Sequence, residues 1–207
     1  MITTAKLNQR TQEDWEQYNA GYSEYQSTMP QRIMRMLMEL QYLGSDTPVN
    51  QLEHALQTAT LAERAGASEE MVVAALCHDI GKTISIENHA AIGAEILKPY
   101  VSHATYEILR THAEFQAKHY NAVFGLDTNL RQKYRHRSWF AAACQLSDQW
   151  DLNASDPKFD SFTLDHFCSA LERIFSAPKP PPWSTRARIR LFLLKLMGIV
   201  FGGYHSP

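Results

Sequence analysis

Apolar residues recur along most of this chain at intervals of three and four, the spacing of half-buried helices. No window keeps the period-two alternation of a half-buried strand. Helices are predicted over 30–43, where Pro30 suits a first turn and Ile33, Met36, Leu37 and Leu40 form a stripe. A second is predicted over 50–65, with Leu52, Ala55, Leu56, Ala59 and Ala62 on one face. Ser68, with Glu69 and Glu70 behind it, reads as the N-cap of a third that runs through Met71, Val72, Ala75 and Leu76. Further helices are expected at 87–98, 102–120, 138–152, 162–175 and 184–200. Gly44 to Pro48 interrupts the pattern with turn-forming residues. The predicted fold class is all-α, a helical bundle.

The pattern also divides the chain. Residues 1–29 are polar, with Trp15, Tyr18, Tyr22 and Tyr25 scattered among acids and glutamines, and read as an extension packing on the body, 30–176. Residues 177–207 open on Ala177-Pro178-Lys179-Pro180-Pro181-Pro182, a stiff extended linker, and continue into a basic, apolar helix from Arg186 to Lys195. Such a tail docks on its own domain or on a second copy, giving a homodimer, or lies on a membrane surface.

Composition narrows the function classes. Of 207 residues 44% are hydrophobic and 20% charged, which argues against a disordered chain, and a net charge of −2 gives no basic face for nucleic acid. The three cysteines are odd in number and far apart, which fits a reducing compartment. The N-terminus lacks an apolar leader, and the longest apolar run, 191–201, contains Lys195 and is too short for an integral membrane span. A soluble, cytoplasmic protein is expected. The nine histidines are the first sign of chemistry.

His78-Asp79 closes an apolar helix and is followed by Ile80-Gly81-Lys82. Imidazole beside carboxylate suits iron, manganese or zinc, and a helix end that Gly81 lets turn can offer both side chains to one site. His54 lies 24 residues earlier, so a helical hairpin turning near Gly66 brings it back beside His78. His89 and His112 follow on later helices, and Asp151 closes the set. So many converging polar groups would be costly to bury without a cation.

His54 … His78-Asp79 … Asp151 resembles the HD superfamily, helical metalloproteins named for that dipeptide, over roughly residues 30–176. The context from Gln51 to Gln57 and from Ala74 to Gly81, with the extra His89 and His112, is most similar to the mixed-valent diiron oxygenase branch, which includes phosphonate-cleaving and inositol oxygenases. That resemblance implies two iron ions, Fe(II) and Fe(III). His54, His78 and Asp151 would hold one, His89 and His112 the other, and Asp79 would bridge. Asp148, one turn before Asp151, competes for the last position; the Trp150-Asp151-Leu152 context favours Asp151.

The same resemblance suggests roles for other residues. Lys82 would approach the substrate, or is a solvated lysine at a helix end. Tyr42, twelve before His54, stands near the place of a tyrosine that closes over the iron, or packs on the core. Gln51 matches a glutamine of the branch, and Glu53 either orients an imidazole or is a surface acid. Phosphonate-cleaving members use a lysine four after the fourth histidine and an arginine three before the last aspartate. Here those offsets fall on Gln116 and Asp148, which points to a neutral or partly cationic hydroxylated substrate. Two enzymatic readings stand: a diiron oxygenase acting on a small hydroxylated molecule with O2, and a phosphohydrolase of nucleotides or small phosphate esters using Fe, Mn, Co or Zn. A non-enzymatic metal-binding module is the third.

Overall fold

The computed structural model describes residues 6–44, 47–176 and 178–179. Among them there is no strand, and eight α-helices follow in order: α1 (Gln12–Ser27), α2 (Met29–Glu39), α3 (Gln51–Arg64), α4 (Glu69–Cys77), α5 (His89–Leu97), α6 (His103–Tyr120), α7 (Phe140–Gln145) and α8 (Leu164–Phe175). The helix predicted over 184–200 lies outside the described residues. No helix among the described residues is long and apolar enough to cross a membrane.

The bundle is organised around α4, whose residues from Met71 to Cys77 are all buried, with α3, α6 and α8 as neighbours. Its sequence is almost wholly apolar, as a helix covered on every side requires. The hairpin that joins α3 to α4 turns on Gly66 at φ +74, a left-handed conformation that costs glycine nothing. The Ala67 N–H donates to Ala62 O and the Gly66 N–H to Glu63 O, the paired bonds that close a helix on a left-handed residue. Amphipathic α2 and α8 pack together through Ile33 and Leu37 on one and Phe167, Leu171 and Phe175 on the other. Helices α5 and α6 form a second hairpin, and α6 packs against α4.

One expectation needs correction, and one segment carries a helix that the apolar pattern does not predict. The helix predicted over 138–152 is three pieces: α7, a wide π turn over Leu146–Trp150, and a 3₁₀ turn over Asp151–Asn153. The polar extension is itself largely helical: α1 starts from a Thr11–Asp14 capping box and meets α2, with none of its described residues buried. Beyond Asn153 the chain runs back along α3. Gln57 pairs with both backbone groups of Asp156, Thr60 accepts from the Phe162 N–H, and Arg64 donates to Asp160 O.

Candidate metal centre

Each candidate ligand is delivered by a different local device. His54 sits on the first turn of α3, whose start is fixed by a capping box: Asn50 accepts from the Glu53 N–H, and Glu53 accepts from the Asn50 N–H. Glu53 is therefore committed to the cap. Helix α4 ends at Cys77; His78 keeps helical dihedrals, while Asp79, at φ −101 and ψ 5, swings onto a second direction before the 3₁₀ turn Ile80–Thr83. His89 opens α5, and Gly81 lets it come close. A Cβ on Gly81 would lie 2.1 Å from the His89 carbonyl oxygen, so only glycine permits this approach. His112 lies on α6, and Asp151 follows the π turn.

The structure brings these six side chains together. His54 Nε2 and His78 Nε2 are 3.2 Å apart, and His89 Nε2 and His112 Nε2 are also 3.2 Å apart. Asp79 stands between the pairs. Its Oδ2 lies 3.3 Å from His78 Nε2 and 3.7 Å from His54 Nε2, and its Oδ1 lies 3.2 Å from His89 Nε2 and 3.4 Å from His112 Nε2. Asp151 Oδ1 is 3.1 Å from His54 Nε2. Two groups, His54–His78–Asp151 and His78–Asp79–His112, are compact enough to hold an ion, and all their members are buried.

The second nitrogens decide what the first ones can do. His54 Nδ1 donates to Ala154 O, His78 Nδ1 to Ala75 O, His89 Nδ1 to Ile86 O and His112 Nδ1 to Leu109 O, at 2.6 to 2.8 Å. A carbonyl only accepts, so each ring carries its proton on Nδ1 and aims the Nε2 lone pair inward. Lone pairs 3.2 Å apart repel, and a cation between them removes the repulsion. The donor set of imidazole nitrogen and carboxylate oxygen thus fits a pair of transition-metal ions. Without a metal a proton answers the same need: burial opposes charge on His78, yet Asp79 and Asp151 outweigh it and raise its pKa to about 9. Burial likewise opposes ionisation of Asp79, but the surrounding imidazoles hold it well below the usual carboxylate range.

The remaining candidates fall in three places. Lys82 joins the cluster: its ammonium donates to Asp79 Oδ2 at 2.5 Å and to Gln51 Oε1 at 2.8 Å. Gln116 donates to Asp151 Oδ2, so it serves the ligand set. Tyr42 is 80% exposed on the turn Leu40–Tyr42, and its side chain meets none of the candidate ligands. Asp148 faces elsewhere, accepting from Arg131 Nη1 and His119 Nε2 at 2.8 Å with Lys118 at 3.8 Å. It therefore adds no unmatched negative charge, which removes half of the charge argument against an anionic substrate.

Sequence reasoning missed Arg131, buried, and His119, because their link to Asp148 spans 17 and 29 residues with no local period. Tyr120 was also missed: burial and the nearby Asp151 raise its phenol pKa. His119 lies two helical turns beyond His112 on α6 with Gln116 between, which was the one available signal.

Comparison with known proteins gives the same neighbourhood. Residues 52–149 match the HD domain family. The [1-hydroxy-2-(trimethylamino)ethyl]phosphonate dioxygenase (glycine-betaine-forming) of Leisingera caerulea is 37% identical over 83 residues, which is 35% of this chain and 41% of that protein. The hydroxymethylphosphonate dioxygenase of Gimesia maris is 38% identical over 79 residues, 32% of this chain and 39% of that protein. The matched region spans about two fifths of the length of either relative. His54, His78, Asp79, His89 and His112 all lie within 52–149, and Asp151 follows two residues after its end. Residues 52–149 are thus similar to the HD domain, and five of the six clustered residues lie in that stretch.

Proposed function

We propose that the protein is an HD-domain oxygenase that uses two iron ions and O2 to oxidise a small hydroxylated organic molecule, with hydroxylated phosphonates the first candidates. The observation that carries this reading is Asp79, whose two oxygens each face a separate histidine pair. The names of both relatives describe dioxygenases of hydroxylated phosphonates, which favours oxygen chemistry over hydrolysis.

Bound between these residues, iron supplies Lewis acidity toward a substrate hydroxyl and a redox partner for O2. The protein's own groups do the rest. The four backbone carbonyls fix the rings with Nε2 inward, and near-complete burial of His78, Asp79, His112 and Asp151 keeps bulk water from their inner faces. Lys82, partly exposed beside Asp79, offers an ammonium to an anionic group on the substrate.

The test is anaerobic loading with ferrous iron, metal counting, and then an oxygen electrode. Two irons per chain and O2 uptake on adding hydroxymethylphosphonate are expected. Release of phosphate from simple esters, indifferent to oxygen, would assign the same residues to a phosphohydrolase.

A further inference from the structure

Lys82 and an ion held by His54, His78 and Asp151 would make claims on the same atom. The ammonium touches Asp79 Oδ2 at 2.5 Å, and that oxygen lies only 3.3 Å from His78 Nε2 and 3.7 Å from His54 Nε2. A divalent ion held by His54, His78 and Asp151 would attract Asp79 Oδ2 and repel the ammonium that sits there. Lys82 needs another acceptor at that moment, and one is already in contact: Gln51 Oε1 at 2.8 Å.

Gln51 is held in place from several sides. It is the first residue of α3, directly after the capped Asn50, and its N–H donates to Leu43 O at 3.0 Å. Gly44, at φ +83, closes over its side chain: a Cβ there would lie 3.3 Å from Gln51 Nε2 and 3.5 Å from Cγ. The carboxamide is thereby kept facing Lys82. Its oxygen accepts from an ammonium without cancelling the charge, which a carboxylate would do.

We infer that Lys82 is the cation that occupies the carboxylate when metal is absent, and that Gln51 is a positioning residue that receives Lys82 when metal claims Asp79. This rests on the metal-centre reading above. After the transfer the ammonium keeps its full charge and has donors to spare, so it can meet an anionic substrate group. Gln51 thus links metal loading to readiness for an anion, without touching either one.

The experiment is a double-mutant cycle read as Mn(II) affinity, with free Mn(II) counted by EPR, on the full chain, so that oxygenase activity does not enter. Lys82→Met should bind Mn(II) more tightly than the unmodified chain, because the competing cation is gone. Gln51→Leu should weaken binding by roughly fivefold while Lys82 is present and have no effect in the Lys82→Met background, a coupling of ordinary size for touching side chains. Gln51→Glu, which suits a helix N-terminus and keeps an acceptor, should restore or exceed the original affinity. Equal weakening by Gln51→Leu with and without Lys82 overturns the inference, as does no weakening in either background. An unmodified chain that takes up no Mn(II) overturns the metal centre itself, a result distinct from a cycle that shows no coupling.

Discussion

The side-chain amide of Gln116 donates to Oδ2 of Asp151, while Oδ1 of the same carboxylate faces His54 at 3.1 Å. One oxygen is thus held by the protein and the other is left for the centre. Gln116→Leu removes the holder. Loss of such an orienting partner typically costs about 10- to 100-fold in metal affinity. Competition against a chelator of known affinity measures this, and an unchanged affinity would show that Asp151 needs no such support.

The two aspartates, Asp148 within the π turn and Asp151 directly after it, should separate cleanly. Asp151→Asn is expected to strip metal from the His54 and His78 side, since it removes a buried carboxylate from that group. Asp148→Asn should leave metal content unchanged and instead destabilise the fold, because Arg131 is buried against it. Metal counting beside thermal melts decides the matter; metal loss in Asp148→Asn with retention in Asp151→Asn would exchange the roles.

Gly81→Ala should disturb the centre without altering any candidate ligand. The added Cβ meets the backbone of His89, which cannot rotate away, so α5 must shift. A cost of roughly 1–3 kcal/mol is expected for such overpacking. Metal should be lost first from the His89 and His112 side, leaving a chain that binds one ion, detectable by metal analysis.

Acid sensitivity has an identifiable source at the opposite end of α4 from the candidate metal centre. Burial opposes ionisation of Glu70, but hydrogen bonds from Thr105 and Ser102 and the ammonium of Lys179 bring its pKa down to about 2 from 4.5. Because the folded value is the lower one, this contribution to stability is complete above pH 4.5 and disappears as pH falls toward 2. Urea unfolding at pH 6 and pH 3 should show a smaller loss for Glu70→Gln than for the unmodified chain. Equal losses would place the acid sensitivity elsewhere.

Much of this architecture was legible in the sequence because it is written locally. The stripes Ile33–Leu37–Leu40 and Ala55–Ala59–Ala62 mark buried faces, and Gly66 between two such helices is enough to fold His54 back onto His78. Helix α1 escaped because it has no apolar stripe; its signal was the cap, Thr11 and Asp14, three residues apart. The Glu53 cap has the same local signature, Asn50 three residues before Glu53. Contacts such as Gln116 with Asp151 and Arg131 with Asp148 had no local trace, since they depend on how α6 and the segment after α7 meet.

The π turn at Leu146–Trp150 makes that segment respond unequally to the loss and the gain of a residue. Surface loops commonly absorb either change at small entropic cost. Here a π turn holds one residue more than an α turn, so removing one residue would let the turn close into ordinary α-helix and leave Asp151 aimed at His54. An added residue has no such outlet. It would rotate each residue beyond it by about 100° around the axis and turn Asp151 away from His54. The stretch between Phe140 and Asp151 can therefore shorten by one residue and keep its carboxylate in place, but it cannot lengthen by one.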